Sequence, residues 1–515
     1  MKLNYAKTIE KWGIFEVTVS GPKEGNPFCD QWIKGTFCCK NEKKTVDGFY
    51  DGDGVYKVRF MPSFTDEYTF EIEASFDFKE GEEDNAGNAA VSFTVTSPSA
   101  DNHGPVRVAG TYYLAYEDGT PYHCIGTTCY VWNLQNEELQ RQTLKTLEEN
   151  AFNKIRFCIF PKHYDYNLHE PITYPYEGTP CDSSVLNENN FAEYNGCAPG
   201  NDWDFTRFNS AHFQHIEKCI QALMKLGIEA DLIVMHPYDR WGFSMMKAED
   251  DDRYWKYVLA RFSAYRNVWW SLANEYDLMH EKTLSDWERY AGIICEKDPY
   301  HHLRSIHNCK AYYDYNLPWI THCSIQRTET YRSSELVNEW REKYHKPVVL
   351  DEICYEGNIQ FGWGNISGEE MTRRFWEAFC RGGYPGHGET YLSPDRILWW
   401  SHGGVLHGTS PERIKFLAKI MGETPGLGVE SMPCKWDEVA CRAAGFPARK
   451  DYFIYYYSFM RPGFRDFYFD DTTEYQVEII DTWEMTITDG GIHKGKFRVQ
   501  LPGKEYMAVR LRVAK

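Results

Sequence analysis

The chain has 515 residues, too many for one hydrophobic core of ordinary size, so two or three domains are expected. Its formal net charge of −19 argues against a general nucleic-acid binder, whose affinity rests on a basic footprint. No run of about 18 apolar residues occurs, which argues against a membrane-spanning helix.

The opening MKLNYAKTIEKWGIFEV lacks the apolar segment of a signal peptide, so cytoplasmic residence is expected. Residues from about 9 to 95 then read as short strands separated by turns. IFEVTVSG, YKVRFMPS, YTFEIEASF and AVSFTVTS alternate as half-buried strands do, while DGDG and EEDNAG carry turn chemistry. An N-terminal β-sandwich over residues 1–98 follows, ending in the linker-like TSPSADNHGPV from Thr96 to Val106.

Over residues 99–427 short apolar runs alternate with amphipathic stretches such as NEELQRQTLKTLEENAF and FQHIEKCIQALMKLG. Strands are expected near 124–128, 153–159, 229–235, 267–273, 303–307, 320–325, 348–352 and 396–400. Eight strands with helical returns predict a (β/α)8 TIM barrel; a doubly wound open sheet is the alternative. The long gap between the second and third strands is rich in Tyr, Asn, Gly and Pro, and such an insertion can shape a pocket above the barrel. Strand-like runs return in DYFIYYYSFM, YQVEIIDTW and YMAVRLRVA, predicting a C-terminal β-sandwich over 428–515. The fold class is therefore multidomain α/β, a barrel flanked by two all-β domains.

A barrel presents its chemistry at the C-terminal ends of its strands. Glu275 follows VWWSLAN at the fourth strand end and Glu352 follows KPVVLD at the seventh. Two carboxylates on opposite parts of one rim can serve a common substrate, one as a proton donor to a leaving oxygen and one at the anomeric carbon. Glu356, four residues beyond Glu352, is a second candidate at this strand end, and strand alternation should turn Asp351 away from Glu352. His236 and Asp239 after the third strand, His307 ending the fifth and Gln326 after the sixth are candidates for binding sugar hydroxyls. Tyr130 and Trp132, after the first strand, are candidates for an aromatic wall. The whole chain is aromatic-rich, with 36 Tyr, 30 Phe and 17 Trp, as sugar-stacking platforms require and as large cores also do.

The segments VWWSLANEYD and KPVVLDE resemble those of the large clan of (β/α)8 retaining glycoside hydrolases. More narrowly, the chain resembles bacterial glycoside hydrolases, with apiosidase-like barrel relatives, whose barrel opens in a phrase like GPVRVAGTYYLAYEDGTPYHCIGTTCYVW between two β domains. The resemblance implies that Glu275 is the acid/base and Glu352 the nucleophile. It further implies that Asn274 contacts the hydroxyl beside the anomeric carbon, that Arg156 steadies the nucleophile and that Trp400 forms the floor under the sugar. The chain departs from the commoner Gly-Glu pattern by carrying Asp351 before Glu352, which bears on the nucleophile assignment.

His236, His307, His322, Asp239 and Asp351 offer metal-ligating atoms near several strand ends, but there is no HExxH and no close His/Cys cluster. Neither a GxSxG elbow nor a phosphate-binding or dinucleotide motif stands in the right context. The 16 cysteines show no paired metal-site spacing and read as free thiols. The expectation is a cofactor-free and metal-free retaining glycosidase, exo-acting on a short plant-derived oligosaccharide or glycoside, with homo-oligomerisation left open. A noncatalytic carbohydrate-binding protein on a barrel scaffold is the alternative.

Overall fold

A computed structural model describes residues 3–77, 91–394 and 396–514. The turn expected at EEDNAG lies outside the described residues. The N-terminal region forms a five-stranded and a three-stranded sheet. Their facing side chains, Phe15, Phe37, Phe60, Phe70 and Phe93, close one core, with Phe15 stacked on Phe93 at 3.6 Å and Phe37 on Phe60 at 4.3 Å between centroids.

The central region is an eight-stranded, all-parallel and nearly closed barrel. Its strands are β1 (Gly126–Thr128), β2 (Lys154–Cys158), β3 (Glu229–Met235), β4 (Val268–Ala273), β5 (Arg304–Ser305), β6 (Cys323–Gln326), β7 (Val348–Glu352) and β8 (Tyr384–His387). Neighbours pair in the order β5-β4-β3-β2-β1-β8-β7-β6, and the seam between β5 and β6 is bridged at His307 and Ser324. Seven helices return the chain: α1 (Glu137–Glu149), α2 (Ser210–Lys225), α3 (Ala248–Phe262), α4 (Leu284–Lys297), α5 (Val337–Tyr344), α6 (Gly368–Cys380) and α7 (Ser410–Gly422). Between β5 and β6 the connection runs through turns instead. Side-chain caps start several of them: the Asn136 side chain accepts from Leu139 N at α1, and Thr283 with Asp286 forms a capping box at α4.

The eighth strand is not where periodicity put it. RILWW, expected as a strand over 396–400, ends in a single helical turn, Trp399–His402, and β8 is instead Tyr384–His387, immediately after α6. Pro385 and Gly386 disguise this strand as a turn. The structure requires the glycine: a Cβ at position 386 would lie 2.7 Å from the Leu350 carbonyl oxygen of β7.

The C-terminal region is a six-stranded sheet with a separate two-stranded hairpin, Phe464–Tyr468 paired with Lys496–Gln500. Its strand Tyr452–Tyr456 is buried on both faces. Tyr452, Ile454 and Tyr456 join the barrel core, Tyr456 stacking on Trp376 of α6, while Phe453 and Tyr455 pack with Phe467 under the hairpin. At the other end of the molecule Arg59 of the N-terminal sheets reaches Glu217 on α2 at 2.5 Å, and Arg261 on α3 bonds both Glu217 and Asp51. All 16 cysteines are free. Among the described residues no helix is long and apolar enough to cross a membrane.

Candidate active site

β4 stops at Ala273, and the chain leaves it through Asn274 and Glu275. Glu275 adopts a left-handed conformation, φ 50° and ψ 56°, which is uncommon for a residue with a Cβ and typical of sites where local strain is kept. Its Oε2 accepts a hydrogen bond from the Tyr238 hydroxyl, beyond β3, and one from Asn274 Nδ2 at 3.3 Å.

Glu352 is the last residue of β7. Its Oε1 accepts from the Tyr130 hydroxyl beyond β1 and from Arg156 Nη1 of β2 at 3.5 Å, and His307 Nε2 lies 3.4 Å away. Asn274 joins the two halves: its Oδ1 is 3.2 Å from both Arg156 Nη2 and the Tyr130 hydroxyl, while its Nδ2 serves Glu275. Gln326 Oε1 stands 3.2 Å from His307 Nε2.

A charged layer supports this one from inside the barrel. Lys154 Nζ lies 2.7 Å from Asp231 and 2.6 Å from Asp351, and Arg156 Nε lies 3.5 Å from Asp231. The Ser324 hydroxyl donates to Asp351 at 2.5 Å and stands 3.0 Å from His307 Nδ1, so a continuous chain runs from Asp351 through Ser324 and His307 to Glu352. Asp351 does not turn away from Glu352, as strand alternation predicts. The register between β6 and β7 shifts here, an extra β7 residue facing β6, and both carboxylates reach Arg156.

The environment splits the two glutamates. Burial, and then the charge of Glu352, push the Glu275 carboxyl above the ordinary carboxylate value. Burial would raise Glu352 as well, but His307, Arg156 and the Tyr130 hydrogen bond outweigh it and hold Glu352 below that value. The two carboxyls are thus shifted in opposite directions, the kind of split that two-carboxylate catalysis uses.

Aromatic rings surround the pair. Trp400 lies edge-on to Tyr130 at 5.7 Å and to Tyr164 at 5.3 Å, and packs against Trp363 at 5.2 Å. A groove of about 1280 Å³ on the rim beside Trp400 is lined by Tyr166, Glu170, Asn187, Gln360 and His402; neither glutamate lines it.

Residues 109–409, more than half of the chain, match the model of the apiosidase-like catalytic domain. The chain belongs to the apiosidase-like glycoside hydrolases. Residues 8–75 and 436–512 match two domains of unknown function, DUF5060 and DUF5605. A Bacteroides vulgatus ATCC 8482 protein assigned to the glycoside hydrolases is 37% identical, with a TM-score of 0.88 over 99% of this chain and 100% of its own. A glycoside hydrolase family 5 structure from the same organism shares the fold at 15% identity and a TM-score of 0.60, over 80% of this chain and 94% of that one. No curated protein matches the chain. The protein is a glycosidase.

Several residues read from sequence stand elsewhere in this apiosidase-like barrel. Trp132 is fully buried and packs edge-on to Phe157, on the side of β2 opposite Arg156, so it forms no wall of the site. His236, by contrast, stays beside the site: its Nε2 faces the Phe160 carbonyl at 3.3 Å, its ring stacks on that of Tyr238 at 6.5 Å, and burial, with the charge of Lys162, lowers its pKa to about 3. Asp239 staples its own turn, accepting from the Trp241 and Ser244 amides and the Ser244 hydroxyl, each at 2.8 Å. Glu356 accepts from the Thr409 and Ser410 amides at the start of α7 and lies in a separate buried group with His387 and Glu389. Those three place ligand atoms within 4.8 Å of one another, a spacing that can hold a cation, although backbone amides already occupy both carboxylates.

Sequence reasoning missed Tyr238, although it stands between His236 and Asp239, because Pro237 ends the period-two pattern that would aim it. It also missed Lys162, a cation at the start of the aromatic-rich insertion.

Proposed function

We propose that this glycosidase is a retaining, exo-acting enzyme of short plant-derived oligosaccharides or glycosides, with Glu275 as acid/base and Glu352 as nucleophile. The observation that carries the reading is the joint anchoring of both glutamates through Tyr130, Asn274 and Arg156, with their proton affinities driven in opposite directions. Glu352 attacks the anomeric carbon while protonated Glu275 gives its proton to the departing oxygen, leaving a glycosyl ester on Glu352. Glu275, now ionised, takes a proton from water, the water oxygen replaces Glu352 at the anomeric carbon, and both groups return to their starting states. Asn274 and Trp400 are assigned to hold the reacting sugar, and His307 and Gln326 to meet its hydroxyls.

Exo-action is supported by enclosure. Both glutamates are only 6% exposed, and the insertion after β2 contributes Tyr164 to the wall. The free state of every thiol, Cys29, Cys197, Cys295 and Cys434 among them exposed, fits residence in the reducing cytoplasm.

The test is release of aryl leaving groups from α- and β-linked pentosides, hexosides and hexuronides by native protein and by Glu352→Gly, with and without azide. The variant should lose on the order of 10⁴-fold or more in turnover and regain part of it when azide fills the vacated position. Native turnover unaffected by the substitution removes Glu352 from the mechanism. Glu275→Ala should retain most activity on the best leaving groups, which need little proton donation; equal loss across the series rejects the acid/base assignment.

A further inference from the structure

Three lysines of the described chain are buried, and two of them are ion-paired. Lys154 lies between Asp231 and Asp351, and Lys282 Nζ reaches Asp251 at 2.6 Å and the Met246 carbonyl at 2.7 Å. Lys162 is the exception. It is 2% exposed, and among the described residues its ammonium has neither a carboxylate at ion-pairing distance nor a hydrogen-bond acceptor. Four rings face it instead: Tyr130 at 3.6 Å, Trp400 and Tyr238 at 4.4 Å each, and Tyr164 at 4.9 Å from the centroids.

Ring faces attract a cation, but they leave the three N–H donors of an ammonium unmet. A buried charge in that condition is costly unless something else supplies the acceptors. The position of the cage indicates what does. Tyr130 and Tyr238, two of its walls, are the residues whose hydroxyls bond Glu352 and Glu275. Trp400, the third, is the ring assigned above to the reacting sugar. Burial draws the Lys162 pKa down to about 8, opposed by Cys158 and the two glutamates, so the group is still cationic at neutral pH. A sugar hydroxyl would satisfy one donor without answering the charge. A sugar carboxylate answers both, and a cation is what allows a second anion to sit beside ionised Glu352.

We infer that Lys162 is a specificity-determining residue that binds a carboxylate on the reacting sugar, making the substrate class glycosides of uronic acids. The inference rests on the proposed roles of Glu275, Glu352 and Trp400 in locating that sugar.

Two measurements test it. In the first, aryl uronides and their neutral counterparts of gluco, galacto and manno configuration, in both anomers, are offered to native protein and to Lys162→Met, which keeps the length and apolar fit of the side chain. One uronide should be preferred by native protein, and Lys162→Met should lower its kcat/KM by roughly 30-fold or more relative to whatever loss the neutral partner shows, the cost of leaving a buried charge unpaired. Equal loss on both sugars, or native preference for the neutral one, overturns the inference and leaves the two-glutamate mechanism standing. In the second, free glucuronate, galacturonate and mannuronate and the matching neutral sugars are titrated calorimetrically into Glu352→Gln protein with and without Lys162→Met. Uronate binding that disappears with Lys162→Met supports the assignment even where no aryl glycoside turns over, in which case it is the reaction assignment that fails. Binding of no uronate in preference to its neutral partner overturns the inference whatever the turnover panel shows.

Discussion

Tyr238 and Tyr130 perform the same chemistry on two carboxyls with different consequences. Each phenol is kept protonated by burial and by its glutamate, so each remains a donor. Donation favours the ionised carboxylate, which for Glu275 opposes the upward push of burial and for Glu352 adds to the downward pull. Activity on the proposed mechanism needs Glu352 ionised and Glu275 protonated, so the rate should fall at acid pH as Glu352 gains a proton and at alkaline pH as Glu275 loses one. The two limbs belong to an interacting pair rather than to isolated groups. Tyr238→Phe removes a donor from Glu275 and should move the alkaline limb upward. Tyr130→Phe removes one from Glu352 and should move the acid limb upward, with about a 10-fold loss in kcat/KM from one missing hydrogen bond. Profiles of kcat/KM against pH check both; limbs that move downward, or do not move, reject the arrangement.

At the scale of elements, β7 and β8 show how tightly the strand carrying Glu352 is held. Gly386 packs against the carbonyl oxygens of Leu350 and Asp351, where a Cβ would come within 2.7 and 2.9 Å. Gly386→Ala should therefore destabilise the fold by about 1–3 kcal/mol, the usual cost of overpacking, and lower turnover by displacing β7; denaturant unfolding measures the first and kcat the second. The end of α4 offers a pH-dependent case. Asp298 accepts from Trp270 Nε1 at 3.1 Å and from the Tyr300 and His302 amides at 3.1 and 2.9 Å. Burial would raise this carboxyl, but the His302 ring and these bonds bring it down to about 2. A carboxyl whose folded-state pKa is depressed contributes stability that is complete above the unfolded value of about 3.9 and is lost as pH falls from there toward the folded value. Stability should drop between about pH 4 and pH 2. Asp298→Asn should flatten that part of the stability curve and cost about 1–3 kcal/mol at neutral pH.

At the scale of the molecule, the N-terminal sandwich and the barrel share buried charges as well as apolar surface. Glu217 of α2 takes Arg59 from the sandwich and Arg261 from α3, all three nearly buried. Glu217→Ala removes the carboxylate that these two guanidinium groups share, leaving Arg59 to Glu16 and Arg261 to Asp51, and should cost about 1–3 kcal/mol, the penalty of hydrogen bonds to charged groups left unmade. Thermal unfolding measures the loss; a change within ~0.5 kcal/mol would make the contact a surface pair. The C-terminal sheet is attached differently, through the continuous apolar packing of Tyr452, Ile454 and Tyr456 with the barrel core.

Seven barrel strands and the two flanking β regions were legible in the sequence because each is governed by local rules: period-two runs, short apolar runs and turn residues. Placement at strand ends likewise singled out Glu275, Glu352 and His307, and the resemblance added Asn274, Arg156 and Trp400; the fold brings all six to one mouth. β8 was hidden because Pro385 and Gly386 obey a neighbour's backbone rather than local propensity. Trp132, Asp239 and Glu356 were drawn wrongly toward the site because spacing stops giving direction once a strand ends. The bulge that turns Asp351 inward, the Tyr238 bond to Glu275 and the cage around Lys162 were decided only by tertiary structure. Each joins side chains from strands or loops far apart in the chain, and their contact depends on barrel closure and register, which no local pattern encodes.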